Sequence, residues 1–466
     1  MGLAGAAQIF RIDRKVDICR KGRIIKTTWL AFYGVTSLWT DEANPTALGL
    51  PALVGANLAL RKRQRGFAEA QFIESISLLQ AVGGECPEDM HLLAGDDCLA
   101  RGLGYGPPKA TAVREFLERF HDQKLESLRP KREVQKSFIF PSSQPVSALQ
   151  AVLSGQVRRI ATVDQDATII ESHKQAAYSH YEEGRGYQPM VAVWAEADLV
   201  LADEFRDGNV PARQGPLTCA KLAFGALPET VTQRYFRGDS ACHENELLDW
   251  LKDPYREKEP GGRIGFAVSA CMSPPLAAAL RKIGETGWKT FGTEEDGTLR
   301  QWAEVDFVPG EKYERKESQP LRYVGLRLLK PQGVLFHDGT DRHFHAVVTN
   351  QKIEGGRLLD WHREKAGTVE HTHDEVKNEL GGGHVPSQRF GVNSVWFKIS
   401  LLTYNLVSAI KGLCLEGGGT DGPDEAVSFV ADPCGWPDEP EQLRDGTATV
   451  PRCGGAQTDA AGVASL

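Results

Sequence analysis

Apolar positions change their spacing twice along the chain. From about residue 46 they recur at helical intervals. Phe72, Ile76 and Leu79 share one stripe in FAEAQFIESISLLQAV, and Val113, Phe116, Leu117 and Phe120 share another in PPKATAVREFLERFHD, with Pro107 and Pro108 as punctuation ahead of it. The stretch 128–147, LRPKREVQKSFIFPSSQPVS, is basic and then rich in Pro and Ser, as a connector would be. Beyond it the pattern turns strand-like. RRIATVDQDATIIES is one strand candidate, YQPMVAVWAEADLVLADEF reads as two strands with a turn near Glu196-Ala197, and TVTQRYFRGDSA and GGRIGFAVSA follow with a helix near ENELLDWL between them. QWAEVDFVP, LRYVGLRLL and FHAVVTN add β-rich material between about 290 and 350, and a helical stretch over 363–412 closes the pattern. The sum is a mixed α/β domain of about 148–413, preceded by an all-α domain of about 46–127. Residues 1–45 show no clear period.

Charge changes the picture mainly at the end of the chain. The net charge is −8, and the segment from Leu415 to Leu466 carries ten acidic and two basic residues, so the body before it is neutral in sum. That Gly/Pro-rich acidic tail (414–466) is expected to be disordered. Within the neutral body, RKRQRG (61–66, with Arg61, Lys62, Arg63 and Arg65) and RPKREVQK (129–136) are basic clusters able to contact phosphates, or else solvated surface. Short helices flanked by such clusters read as a DNA-binding bundle or as a helical domain packed on the rest. Nine widely spaced cysteines without a CxxC argue against a zinc ribbon and a disulfide framework, and fit a reducing cytoplasm. No secretory signal pattern opens the chain, and the apolar stretch 393–414 is interrupted by Lys398, Asn405 and Lys411, so no membrane partner is expected.

Three places put carboxylates where an element ends. Asp164 and Asp166 in DQDAT fall on one face of a strand, a costly arrangement unless a cation or solvent neutralises it. Asp239 follows a strand and a glycine in YFRGDSA. REKAGTVEHTHDEVKNEL (363–380), read as one helix, places Glu370, Asp374 and Lys377 on one face and Val369, Val376 and Leu380 on another. On that reading Glu364 and Glu379 are ordinary surface charges. Two Asp from neighbouring strands and a Glu from a packed helix suit two-metal phosphoryl transfer, in which cations about 4 Å apart serve the attacking and leaving oxygens. Hard cations of this kind take carboxylate oxygens. The bland alternative is that these are strand-end turns and a solvated helix face.

The same residues resemble a family. REKAGTVEHTHDEVKNELGGG followed by RFGVNSVWFKISLLTYNL looks like the C-terminal catalytic segment of insertion-sequence transposases of the Asp-Asp-Glu (DDE) type, in particular insertion-sequence family 1380. RGFAEAQFIESISLLQAVGGEC, LARGLGYGPPKATAVREFLERFHD and the long run from TVDQDATIIESHK onward agree in order, over about residues 48–413. The resemblance implies a ribonuclease-H-like core with a β-rich insertion over about 245–355, and a DNA-binding N-terminal helical domain. It implies Asp166, Asp239 and Glu370 as catalytic metal ligands for two Mg2+ ions, with Mn2+ as a substitute. Asp166-Ala167-Thr168 matches the family's Asp-x-Thr, with Asp164 as the alternative first ligand. Lys377 takes the place of the family's basic residue after the Glu. The family's Tyr and Arg slots hold Arg363 and Ala366 here, with Lys365 one residue off the Arg slot; Arg363 and Lys365 are expected DNA contacts.

The implied activity is binding of terminal inverted repeats in double-stranded DNA, then Mg-dependent cleavage and strand transfer by a homodimer in a synaptic complex. The implied setting is the cytoplasm, in association with the nucleoid. A relative that only binds transposon ends, and a nuclease without strand transfer, use the same residues. His362, His371 and His373 are expected on the surface. Trp288, Trp302 and Trp361 are expected in the core, although an aromatic from this region stacks on a flipped base in related transposases.

Overall fold

The computed structural model describes residues 8–20, 23–36, 50–58, 60, 66–127, 129, 158–253, 255, 262–309 and 321–415. These lie in one unit, Met1–Asp421; the second, Gly422–Leu466, lies outside them, as do the acidic tail beyond 415, Arg61 to Arg65, and 130–157. The helical period produces α1 (Leu50–Asn57), α2 (Glu69–Ala81), α3 (Asp97–Leu103), α4 (Ala110–Glu118) and α5 (Gln123–Ser127). An antiparallel hairpin, β1 (Gln8–Arg20) and β2 (Arg23–Thr36), precedes them, where the sequence showed no period.

The strand-like runs build one nine-stranded sheet. Its members are β3 (Ile160–Ala167), β7 (Met190–Trp194), β8 (Leu199–Glu204), β9 (Gln233–Gly238), β10 (Ile264–Ser269), β11 (Lys289–Thr293), β12 (Leu299–Val305), β13 (Arg322–Leu329) and β14 (Arg342–Thr349), in the order β11-β12-β13-β14-β10-β9-β3-β7-β8. Among the described residues of this sheet, β3–β9 and β9–β10 are the parallel pairs and the others are antiparallel. A small sheet of β4 (Ile170–Glu171), β5 (Tyr178–Ser179) and β6 (Arg185–Tyr187) sits beyond the end of β3. The β-rich stretch expected as an insertion over 245–355 therefore differs in form. Its β10 pairs directly with β9, and β11–β14 continue the same sheet, because β14 hydrogen-bonds β10.

Helices cover both faces. On one, α6 (Pro216–Gly225), α7 (Asn245–Lys252) and α8 (Pro274–Lys282) bury Phe224, Leu247, Leu251 and Leu280 against Phe236, Phe266 and Val268. On the other, Val191, Val193 and Val200 meet Val369 and Val376 of α10 (Val369–Asn378) and Phe397, Leu401 and Tyr404 of α11 (Phe390–Leu415). A second side of α11 carries Val395, Trp396 and Ile399 into the stripes expected from the sequence, Phe72, Ile76, Leu79, Val113 and Phe116. The Phe72 and Phe116 rings stack at 4.6 Å. Each such side chain, fully buried, contributes roughly 1.5–3 kcal/mol. Thus α11 is apolar on two sides because it is a shared core element, and among the described residues no helix is long and apolar enough to cross a membrane.

The segment 363–380 is not one helix. Following α9 (Gly355–Arg363), a 3-10 turn over Glu364–Gly367 intervenes before α10 starts at Val369. Gly367 and Thr368 are poor helix formers. Thr368 also directs its hydroxyl to the Asp164 carboxylate and to the Lys365 carbonyl. Past α10, Gly381 takes a left-handed φ of 68°, and a Cβ there would lie 2.6 Å from the Gly84 carbonyl oxygen, so the chain turns against the α2 end only with glycine.

Candidate active site

Parallel pairing of β3 with β9 sets the geometry. Asp164 lies in register with Arg237 and Gln165 with Gly238, so Asp166 and Asp239 emerge together at the C-terminal ends of neighbouring strands. Asp166 Oδ1 accepts from the Ala167 N–H at 2.8 Å, and Asp239 caps the turn Ser240–Cys242 by accepting from the Ala241 N–H at 3.0 Å. Glu370 stands in the first turn of α10 with its side chain 54% exposed. Lys365, swung inward by the 3-10 turn, joins them. Its Nζ lies 3.5 Å from Asp166 Oδ2 and 3.3 Å from Glu370 Oε1.

The charges are unbalanced. Burial, followed by the like charge of Asp239, pushes Asp166 up from 3.8 to about 6, with Lys365 pulling the other way. Burial also raises Asp239, against the pull of Lys365 and of backbone N–H groups. For Lys365 burial disfavours the charge, but Asp166 and Glu370 more than offset it and the ammonium is held more firmly than usual. A cavity of about 820 Å³ opens beside this group, lined by Asp239, Lys365 and Glu370, by Arg213, and by Arg300, Leu326, Leu328 and His345 of β12–β14.

Asp164, the alternative first ligand, is corrected by its surroundings. It is fully buried and bound by one edge of the Arg237 guanidinium, Nε and Nη2, at 2.6 and 2.8 Å, so that its charge is met within the protein. Glu364 is a surface charge, with 64% of its side chain exposed, that also accepts from Arg237 Nη1 at 2.8 Å. Arg363 is exposed but pairs with Glu294 at 2.7 Å. Lys377 donates to Thr168 Oγ1 at 3.3 Å, and Asp374 accepts from Asn378. Arg129, within the basic cluster expected to meet DNA, is 5% exposed and paired with Asp207 at 2.5 Å; the rest of that cluster lies outside the described residues, as do Arg61, Lys62, Arg63 and Arg65.

The histidines divide. His371 is exposed beside Glu375. His362 Nε2 donates to the Gly238 carbonyl at 3.0 Å, and burial pushes its pKa down to about 4. His373 is likewise buried, behind Asp166, and pushed down to about 3. Both imidazoles are therefore neutral supports of the two Asp strands rather than surface groups. A carbonyl accepts only, so His362 presents an N–H to Gly238. The three tryptophans are core residues, at 6–7% exposure.

Arg237 was not singled out from the sequence. The available signal was a cation at an inward strand position, two residues before Asp239 in YFRGD.

Among the described residues no group of three or more His, Cys, Asp and Glu is gathered closely enough to hold a metal ion. The donor chemistry nonetheless fits a hard divalent cation. Asp166, Asp239 and Glu370 offer oxygen ligands only, the two aspartates repel, and a lysine ammonium is already drawn into their field.

Comparison with known proteins gives a match to the family model described as transposase DDE domain, group 1, over residues 61–421, most of the chain. No curated protein matches. Among solved structures the chain is similar to a piggyBac transposase, determined by cryo-EM as a synaptic complex with hairpin DNA. The identity is 10% and the TM-score 0.41, over 84% of this chain and 79% of that one.

Proposed function

We propose, from the premise that the chain belongs to the transposase DDE domain family, group 1, that it cleaves double-stranded DNA at terminal inverted repeats and joins the freed 3′ ends to a target. The proposal extends to insertion-sequence family 1380, which the quoted motifs resemble. In this reading β8-β7-β3-β9-β10 is a ribonuclease-H-like core, β11–β14 the insertion, and α1–α5 part of an all-α DNA-binding domain. The observation that carries it is the meeting of Asp166 and Asp239 at the ends of two parallel strands, with Glu370 linked to Asp166 through Lys365.

Asp166, Asp239 and Glu370 would hold the divalent cations, Mg2+ or Mn2+, which when bound activate the attacking oxygen and stabilise the leaving one. The protein's own residues do the rest. The backbone N–H groups of Ala167 and Ala241 orient the two aspartates. Neutral His362 and His373 fill the space behind them without adding charge. Lys365 offsets the negative charge of Asp166 and Glu370, and with cations bound it would be available to contact a phosphate. Lys377 and Arg363 flank the same edge as further phosphate contacts. The protein acts as a homodimer on two DNA ends, in the cytoplasm and on the nucleoid.

The test replaces Glu370 with Gln and, separately, Glu379 with Gln. The first should abolish Mg-dependent cleavage of end-bearing DNA while retaining DNA binding; the second should leave cleavage intact. Equal cleavage by both variants refutes the third ligand. Cleavage without joining makes the protein a nuclease.

A further inference from the structure

Each proposed ligand has a companion two residues before it: Asp164 before Asp166, Arg237 before Asp239 and Thr368 before Glu370. On a strand, a step of two returns to the same face. Asp164 and Arg237, in register on neighbouring strands, therefore lie in one layer beneath the ligands, and Thr368, at the start of α10, joins that layer through its hydroxyl contact with Asp164. Arg237 Nε and Nη2 donate to the two Asp164 oxygens at 2.6 and 2.8 Å. Its Nη1 donates to the Trp361 carbonyl at 2.6 Å and to Glu364 at 2.8 Å. The Thr368 hydroxyl completes the set on Asp164. Arg237 is 2% exposed and Asp164 not at all, and the guanidinium lies 5.3 Å from the Trp361 ring centre.

We infer that Arg237, with Asp164 and Thr368, is the positioning element that sets the separation of the three carboxylates. The inference rests on the reading of Asp166, Asp239 and Glu370 as cation ligands. Arg237 of β9 bonds Asp164 of β3 and Trp361 and Glu364 of the third segment, and Thr368 of that segment bonds Asp164, so a shift of β3, β9 or the 361–368 turn must break a bond to Arg237 or Asp164. Only a rigid fork with five donors serves the Asp164 carboxylate, a helix-end carbonyl and a second carboxylate together; a lysine offers a single point. A buried pair of this type adds little net stability over an apolar pair of similar volume, whereas it can fix orientation. Groups that orient metal ligands are worth about ten- to a hundredfold in metal affinity.

The test uses the full chain, Mn2+ as probe, and free Mn2+ measured by electron paramagnetic resonance, with melting temperature followed in parallel. The double variant Asp164→Leu with Arg237→Met removes both charges at once and should fold with a melting temperature near that of the parent. Its Mn2+ affinity should fall by about ten- to a hundredfold. Thr368→Val and Arg237→Lys, which are milder, should show smaller losses in the same direction and decide the matter if the double variant does not fold. A folded double variant with unchanged Mn2+ affinity overturns the inference, as do Thr368→Val and Arg237→Lys that both bind like the parent. Asp166→Asn and Asp239→Asn separate the two readings. If these lower Mn2+ binding and the double variant does not, only the positioning role fails. If these bind like the parent, or the parent binds no Mn2+, the ligand assignment fails and the inference with it.

Discussion

Asp164 and Asp166 share a strand and a face, yet their surroundings are opposite. The inner carboxylate is fully buried and its charge is met by an equally buried guanidinium. The outer one is also largely enclosed, but its neighbours are a second carboxylate and one lysine at 3.5 Å, and its affinity for a proton rises. Burial alone therefore does not separate a structural charge from a functional one. What separates them is whether the protein supplies the countercharge or leaves part of it to be supplied from outside.

The largest effect that tests this contrast is on chemistry. Asp166→Asn and Asp239→Asn should each lower cleavage of end-bearing DNA by about three orders of magnitude or more, since a metal-assisted step draws several kcal/mol from its cations and each 1.36 kcal/mol is tenfold. DNA binding measured by gel shift should persist. Normal cleavage by either variant would place the uncompensated charge outside the reaction.

On the inner layer the largest effect should be on stability instead. Arg237→Met alone strands the Asp164 carboxylate in the core and should destabilise by about 3–5 kcal/mol, read from urea unfolding. Addition of Asp164→Leu should restore most of that loss. If the single variant is as stable as the double, Asp164 was not a buried charge awaiting its partner.

Much of this layout was written in the spacing of apolar residues. The stripe Phe72, Ile76, Leu79 and the strand pair around Glu196-Ala197 appear where the periods put them, because burial on one face imposes its period locally. Alternation could not choose between Asp164 and Asp166, since it places both on the same face; only the partner of each decides, and Arg237 is 73 residues away from Asp164. The buried role of Arg129 was hidden in the same way, because a basic run reads as surface and its partner Asp207 is 78 residues distant. The break at Glu364–Gly367 was lost for a different reason: its charged residues fit a helix face well enough, and the hydroxyl contact that stops the helix is tertiary.

Loss of the charge at high pH should then have opposite effects on stability at the two aspartates. Folding raises Asp166 from 3.8 to about 6, so the group's contribution is fully present below 3.8 and is lost as pH rises through about 6. Asp166→Asn removes that loss. At about pH 8 without divalent cations the variant should be more stable than the parent by on the order of 1–3 kcal/mol, with the gain shrinking as pH falls toward about 4. Asp164→Asn should instead lose stability at the same pH, because it removes the buried countercharge of Arg237. Two urea series across pH check the signs, and a stability loss in Asp166→Asn at the high end would mean that its charge is already compensated.

The smallest effect concerns the rim of the inner layer, where one guanidinium meets two carboxylates of unlike exposure. Arg237 donates to Asp164 at 2.6 Å and to Glu364 at 2.8 Å, distances that alone would rank the two alike. Glu364, however, has 64% of its side chain exposed, against none for Asp164. Water solvates a free Glu364 nearly as well as Arg237 does, and solvent screens the attraction, so an ion pair of this kind contributes less than about 1 kcal/mol. Arg237 also keeps its Asp164 and Trp361 bonds when Glu364 is lost, so no buried charge is stranded. Glu364→Gln should therefore change unfolding free energy by less than about 1 kcal/mol, and the change should vanish in high salt. A loss as large as that of Arg237→Met would show that Glu364 and Asp164 hold the guanidinium as equals, and that exposure does not set the worth of a charge at this site.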